Sequence, residues 1–172
     1  MPTNDKKTTS IDLSALLEGL IKANVEFILV GGLAAVVQGA PLTTMDVDIV
    51  HCRSSENVQR LLAFLKLIHA IHRRPDNRII EPRASHLSGT GHSLFKTQFG
   101  PLDVLGVIEE GNGYEELLEH SVEIEFRGHT LRVLDLKKLV ELKRTSKHPK
   151  DKQCLPVLEE TLRQLDANSY RR

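Results

Sequence analysis

Apolar residues recur at helical spacing over 11–23, where Ile11, Leu13, Leu16, Leu17, Leu20 and Ile21 form one stripe, and Ser10 stands where a hydroxyl can cap the first turn. The run 25–30 (VEFILV) is β-branched and aromatic and ends on Gly31-Gly32, which predicts a buried strand. Residues 33–38 then favour a short helix, closed by Gly39, Ala40 and Pro41. Over 46–51 (DVDIVH) the pattern alternates, with Val47 and Ile49 on one face and Asp46 and Asp48 on the other. A long amphipathic helix is predicted over 56–71 from Val58, Leu61, Leu62, Leu65 and Ile68.

From 73 to 91 the chain has no readable period. Two apolar stretches, 93–99 and 102–107, then flank Gly100-Pro101 and predict an antiparallel hairpin. In the second, Leu102 and Val104 enter the core while Asp103 and Leu105 face the other way. A short helix is expected over 114–120 and a second hairpin over 122–126 and 130–134. Asp135 caps a helix over 136–146, and Pro149 suits the first turn of a last helical segment, which Pro156 kinks or restarts. The pattern predicts an α+β (mixed α/β) fold: one domain over 1–172, a small mixed sheet flanked by helices, a disordered tail over 1–10, and a C-terminal helical pair over 135–166.

Lysine plus arginine balance aspartate plus glutamate at 23 each, so the basic excess expected of a duplex-DNA binder is missing. Two local basic stretches, Arg73-Arg74 and 137–152, could meet a small phosphorylated ligand, although solvated faces explain most such charges. No apolar run is long enough to span a bilayer, and the polar start MPTNDKKTTS has no secretory apolar stretch, so a cytoplasmic protein is expected. Cys52 and Cys154 are too far apart in sequence to form a metal-ligand pair and are expected as free thiols. His69 and His72 have the spacing of one helical face but lack a third ligand, so zinc is not expected.

Three carboxylates carry the chemical signal. Asp46 and Asp48 share one strand face, and Asp103 on a neighbouring strand would complete a cluster able to hold two Mg2+ ions against a nucleoside triphosphate. That geometry requires Asp103 to lie on the order of 4–6 Å from Asp46 or Asp48. Gly31-Gly32, between strand and helix, lets backbone N–H groups approach phosphate oxygens without a Cβ in the way. Thr43 or Thr44 can add a donor. Taken singly each signal has a bland explanation: a tight turn, an acidic strand face, a capping or salt-bridged acid. Their order is more specific: Gly-Gly, thirteen residues, Asp-x-Asp, then a distant Asp inside an apolar strand.

The stretch GGLAAVVQGAPLTTMDVDIV, residues 31–50, resembles the signature of the DNA polymerase β-like nucleotidyltransferases. It is similar in particular to small bacterial and archaeal members of the minimal nucleotidyltransferase and AbiEii-toxin type. GPLDVLG (100–106) and VLDLKKLVELK…HPKD (133–151) fall where such proteins keep a third acid and a lysine-rich helix. The resemblance implies a nucleotidyltransferase-like fold and metal ligation by Asp46, Asp48 and Asp103. It also implies a triphosphate turn at Gly31 and Gly32, with Thr44, Lys143 and, more weakly, Lys150 as phosphate contacts. Gln38 and Leu42 stand where several relatives have a histidine and an arginine. His51 and His148 are explained by a strand end and a loop.

Two function classes follow. One is an enzyme that transfers a nucleoside monophosphate from ATP or another NTP to a hydroxyl on a protein, RNA or small molecule, releasing pyrophosphate. The other is a non-catalytic binding or regulatory module, such as a toxin–antitoxin component working with a small helical partner protein. A metal-dependent glycosyltransferase is a weaker third, disfavoured by chain length and by the upstream Gly-Gly turn.

Overall fold

The computed structural model describes residues 10–171, so the tail expected over 1–10 falls, except for Ser10, outside the described residues. The first helix, α1 (Leu13–Lys22), is capped by Asp12, whose Oδ1 accepts from the Ala15 N–H at 2.9 Å; the expected cap at Ser10 is two residues too early. It ends through Asn24 at φ +56°, with the Val25 N–H donating to the Leu20 carbonyl, a Schellman-type stop made without glycine. Strand β1 (Phe27–Val30) is buried throughout and leads directly into α2 (Gly31–Val37), so the two glycines form the first turn of that helix.

Strand β2 (Val47–His51) follows, then α3 (Ser55–Leu67), capped by Ser54. The helix expected to continue to Ile71 stops at Leu67 because His69 takes φ +54° and the Ala70 N–H returns to the Leu65 carbonyl. Ile71 therefore belongs to a two-residue strand, β3 (Ile71–His72), and neither His69 nor His72 is helical. The unreadable stretch holds a short helix, α4 (Ala84–Ser88).

The expected hairpin is β4 (His92–Thr97) with β5 (Gly100–Leu105). A small ribbon, β6 (Val107–Ile108) and β7 (Asn112–Gly113), precedes α5 (Tyr114–Leu118). The second hairpin is β8 (Ser121–Phe126) with β9 (His129–Leu134). Asp135 caps α6 (Leu136–Thr145) by accepting from the Lys138 N–H at 2.7 Å. The last helix, α7 (Pro149–Ser169), does not restart at Pro156 but runs through it as one helix. Pro156 and Lys152 are both exposed, so the carbonyl deprived of its helical partner faces water.

Among the described residues seven strands form one mixed sheet in the order β3-β4-β5-β2-β1-β9-β8. β2 is antiparallel to β1 and parallel to β5, and β1 is parallel to β9. α1 packs on α3 and α3 on α4, while α2 touches α6 and α6 pairs with α7. The core is largely aliphatic, with Leu16, Leu20, Ile28, Leu29, Ile49 and Leu61 joined by Phe27, Phe64 and Phe95.

Two amide side chains, one buried and one half-buried, lock the frame. Asn57 is fully buried; its Oδ1 accepts from the Glu26 N–H, and its Nδ2 donates to the Glu26 and Cys52 carbonyls, joining α3 to the ends of β1 and β2. Gln38 donates through Nε2 to the Ala34 and Leu134 carbonyls and accepts from the Leu136 N–H, tying α2 to the β9–α6 junction. Among the described residues no helix is long and apolar enough to cross a membrane.

Candidate active site

The central strands bring Asp46, Asp48 and Asp103 together. Asp48 and Asp103 are register partners on the parallel pair β2 and β5, so their side chains rise from the same face. Asp46 lies in the bend just before β2, where the Thr44 hydroxyl donates to its Oδ1 at 3.3 Å. One carboxylate oxygen from each acid lies within 4.8 Å of the others, and all three residues are half-buried.

Such crowding is costly without a cation. Burial, then the charges of Asp46 and Asp103, push the Asp48 carboxyl from its ordinary value up to about 8. Lys143, on α6, works in the opposite direction. It shares with Asp48 a cavity of about 150 Å³ whose other walls include Val30, Gly31, Leu105, Ile108 and Leu139, with Glu109 also in the lining. The Lys143 ammonium is paired with Asp151, which also accepts from the Ser146 hydroxyl. Burial opposes ionisation of Asp151, but these two hydrogen bonds outweigh it and hold its carboxyl below the usual range.

Gly31 is the close-packed member of the glycine pair. It has φ +70°, and a Cβ there would fall 2.2 Å from Asp48 Oδ2. At Gly32 the nearest atom to such a Cβ is Thr44 Oγ1 at 3.4 Å, an ordinary contact. Thr43 is exposed, and the neighbouring Thr44 supplies the hydroxyl at the acids.

The remaining candidates lie elsewhere or do other work. His51 shares the face of Val47 and Ile49, opposite Asp48, and its Nε2 sits 2.6 Å from the Leu87 carbonyl oxygen beneath α4. Burial holds its imidazole below the ordinary value, so it is neutral near pH 7. His148 precedes α7, its N–H donating to Ser146 Oγ, and Lys150 is exposed in the first turn of that helix. Gln38 is occupied in structural hydrogen bonds and Leu42 packs against the core. His72 Nε2 lies 2.9 Å from His86 Nδ1, away from His69.

The triad's guanidinium partner is Arg73, just past β3, whose terminal nitrogen donates to Asp103 Oδ1 at 2.9 Å. The sequence marks Arg73 only as part of a basic pair, because a two-residue edge strand has no period to place it. A separate cavity of about 500 Å³ lies at the far end of β1, lined by Glu26, Arg60, Tyr114 and Arg132 among others. Its arginines are already paired, Arg60 with Glu26 and Arg132 with Glu123.

No protein-family model and no curated protein sequence matches the chain. Solved structures do match in fold. The lincosamide antibiotic adenylyltransferase LnuA, lincomycin-bound, is similar with a TM-score of 0.57 at 14% identity, over 87% of this chain and 95% of that one. ANT(2")-Ia, in complex with adenylyl-2"-tobramycin, gives 0.58 at 13% identity, over 91% of each chain. An antigenic nucleotidyltransferase-like protein from Paracoccidioides brasiliensis gives 0.54 at 14% identity, over 88% of this chain and 73% of that one. The mixed sheet and its flanking helices thus form a nucleotidyltransferase-like fold.

Proposed function

We propose that this chain is a magnesium-dependent nucleotidyltransferase, moving a nucleoside monophosphate from an NTP to a hydroxyl acceptor with release of pyrophosphate. The observation that carries it is the convergence of three carboxylates within 4.8 Å, with Asp48 held in its protonated range near neutral pH. An all-oxygen, strongly anionic donor set suits hard cations, and two Mg2+ ions on Asp46, Asp48 and Asp103 would relieve the repulsion. When bound, such ions supply Lewis-acid polarisation of phosphate and acceptor oxygens.

The chain's own residues do the rest. Backbone N–H groups of Gly31 and Gly32, the Thr44 hydroxyl and the Lys143 ammonium hold triphosphate oxygens, Lys143 exchanging Asp151 for phosphate. Asp103, on the side of Asp48 away from Gly31, takes the proton of the acceptor hydroxyl. The acceptor oxygen then bonds to the α-phosphorus, the bond to the bridging oxygen breaks, and pyrophosphate leaves with that electron pair. LnuA is an adenylyltransferase named with lincomycin bound and ANT(2")-Ia with an adenylylated tobramycin, which supports a small hydroxyl compound as acceptor.

A second reading, a non-catalytic nucleotide-binding module serving a small helical partner, draws on Leu42, an apolar core contact where the resemblance calls for an arginine. Calorimetric titration with a non-hydrolysable ATP analogue tests the common basis of both. Binding should require Mg2+ and be lost in Asp48→Asn with the fold retained; binding indifferent to both would sink the site. Pyrophosphate release from NTP then separates enzyme from module.

A further inference from the structure

Beyond Asp103 the sheet continues through β4 to β3, and on the Asp103 side β4 is exposed while β5 and β3 are half-buried. β4 alternates strictly, with His92, Leu94 and Lys96 exposed and Ser93, Phe95 and Thr97 buried. Leu94 is the register partner of Asp103, and Lys96 that of Pro101, so both rise from the face that carries the acids. The Arg73 N–H donates to the Leu94 carbonyl, which sets Arg73 opposite Leu94 and brings its guanidinium to Asp103. One row therefore runs Asp48, Asp103, Leu94, Arg73 across four neighbouring positions of the sheet.

The charge on this face is one-sided. Asp103 is the only acid in β3, β4 and β5; Arg73 pairs with it, which leaves Lys96, among the described residues, as the unpaired charge of these strands. Arg73 is 40% exposed, and among the described residues its side chain makes only the one hydrogen bond, through a single terminal nitrogen. A guanidinium has five N–H donors in a planar fork, so most of its capacity faces outward. Lys96 adds an exposed ammonium two residues along β4, and Leu94, 38% exposed, an apolar contact between Asp103 and Arg73 in the row. The Gly31 turn lies on the other side of Asp48, across β1, so this face borders the triad on the side left for the acceptor.

We propose that this face of β3, β4 and β5 is the acceptor platform and that it selects a hydroxyl compound carrying a phosphate, gripped by Arg73 and Lys96. This rests on the nucleotidyltransferase reading of the triad. The phosphate binds the fork of Arg73 and the ammonium of Lys96, the carbon skeleton lies over Leu94, and the hydroxyl reaches Asp103. Transfer then joins that oxygen to the α-phosphorus of the NTP and expels pyrophosphate, the hydroxyl proton passing to Asp103.

The test uses the full chain saturated with Mg2+ and a non-hydrolysable ATP analogue, followed by NMR. Three probes share one carbon skeleton: glycerol 3-phosphate, glycerol and 3-amino-1,2-propanediol. Glycerol 3-phosphate should give saturable shifts at the Leu94 methyls and Arg73 Nε, with no matching response to the other two. Lys96→Gln and Arg73→Gln should each weaken it by about tenfold or more, the loss of one charge-assisted contact. Lys96→Gln should leave affinity for the ATP analogue unchanged. Preference for the amine, an equal response to glycerol, no saturable shift on this face, or full affinity in both variants overturns the proposal. Failure of the ATP analogue to bind overturns the nucleotidyltransferase reading instead; glycerol 3-phosphate added alone then still decides whether the face takes a phosphate.

Discussion

Between Gly31 and Asp48 there is no room for a methyl group: the hypothetical Cβ sits 2.2 Å from Oδ2, and the backbone is at φ +70°. Gly31→Ala must therefore displace the Asp48 carboxylate or distort the turn, at a cost of roughly 1–3 kcal/mol for the backbone alone. Thermal melts should show that loss, and Mg2+-dependent binding of an ATP analogue should fall by about tenfold or more. Wild-type binding in a folded Gly31→Ala protein would separate the turn from the acids. Asp48 itself makes a pH prediction. Its carboxyl titrates near 8 in the folded metal-free protein against an ordinary 3.8 unfolded. The folded state holds that proton more tightly, so its contribution to stability is complete below the unfolded value and fades as pH rises through about 8. Asp48→Asn should accordingly stabilise the metal-free protein at pH 8 and much less at pH 4. Because the proton must leave before a cation binds, Mg2+ affinity of the wild type should climb over the same range. A flat profile would show that neither burial nor the neighbouring charges raise the Asp48 carboxyl.

Among the elements, Gln38 shows how a side chain can replace secondary structure. Its amide serves the Leu134 carbonyl and the Leu136 N–H just where β9 ends and α6 begins. Gln38→Ala leaves both half-buried backbone groups without that partner, and denaturant unfolding should register a loss of about 2 kcal/mol. An unchanged midpoint would mean water replaces the amide at no cost. The elements legible in the sequence were those with a period or punctuation of their own: the alternation of β2, the Gly100-Pro101 turn of the β4–β5 hairpin, and the Asp135 cap of α6. What escaped was set by contacts distant in sequence or by rare backbone states. His69 in the left-handed region ended α3 four residues early, and β3 exists only because it pairs with β4. Arg73 owes its position to that pairing, which no local pattern encodes, and Pro156 starts no new helix because its exposed position lets one helix run through it. Asp48 and Asp103, in contrast, stand opposite the core face of their strands by alternation, while Asp46 sits in the bend before β2 and the strand order comes from the fold.

At the scale of the whole molecule, the order β3-β4-β5-β2-β1 sets Gly31 and Arg73 on opposite flanks of the acids, with β2 and β5 between them. If the triphosphate lies against one flank and the acceptor against the other, neither needs to vacate its place for its counterpart to arrive. Transfer is then a direct encounter within a ternary complex, with no nucleotidylated protein intermediate. Initial-rate measurements at several fixed acceptor concentrations should give double-reciprocal lines that intersect, whereas a parallel family would mean the two reactants occupy the same ground in turn.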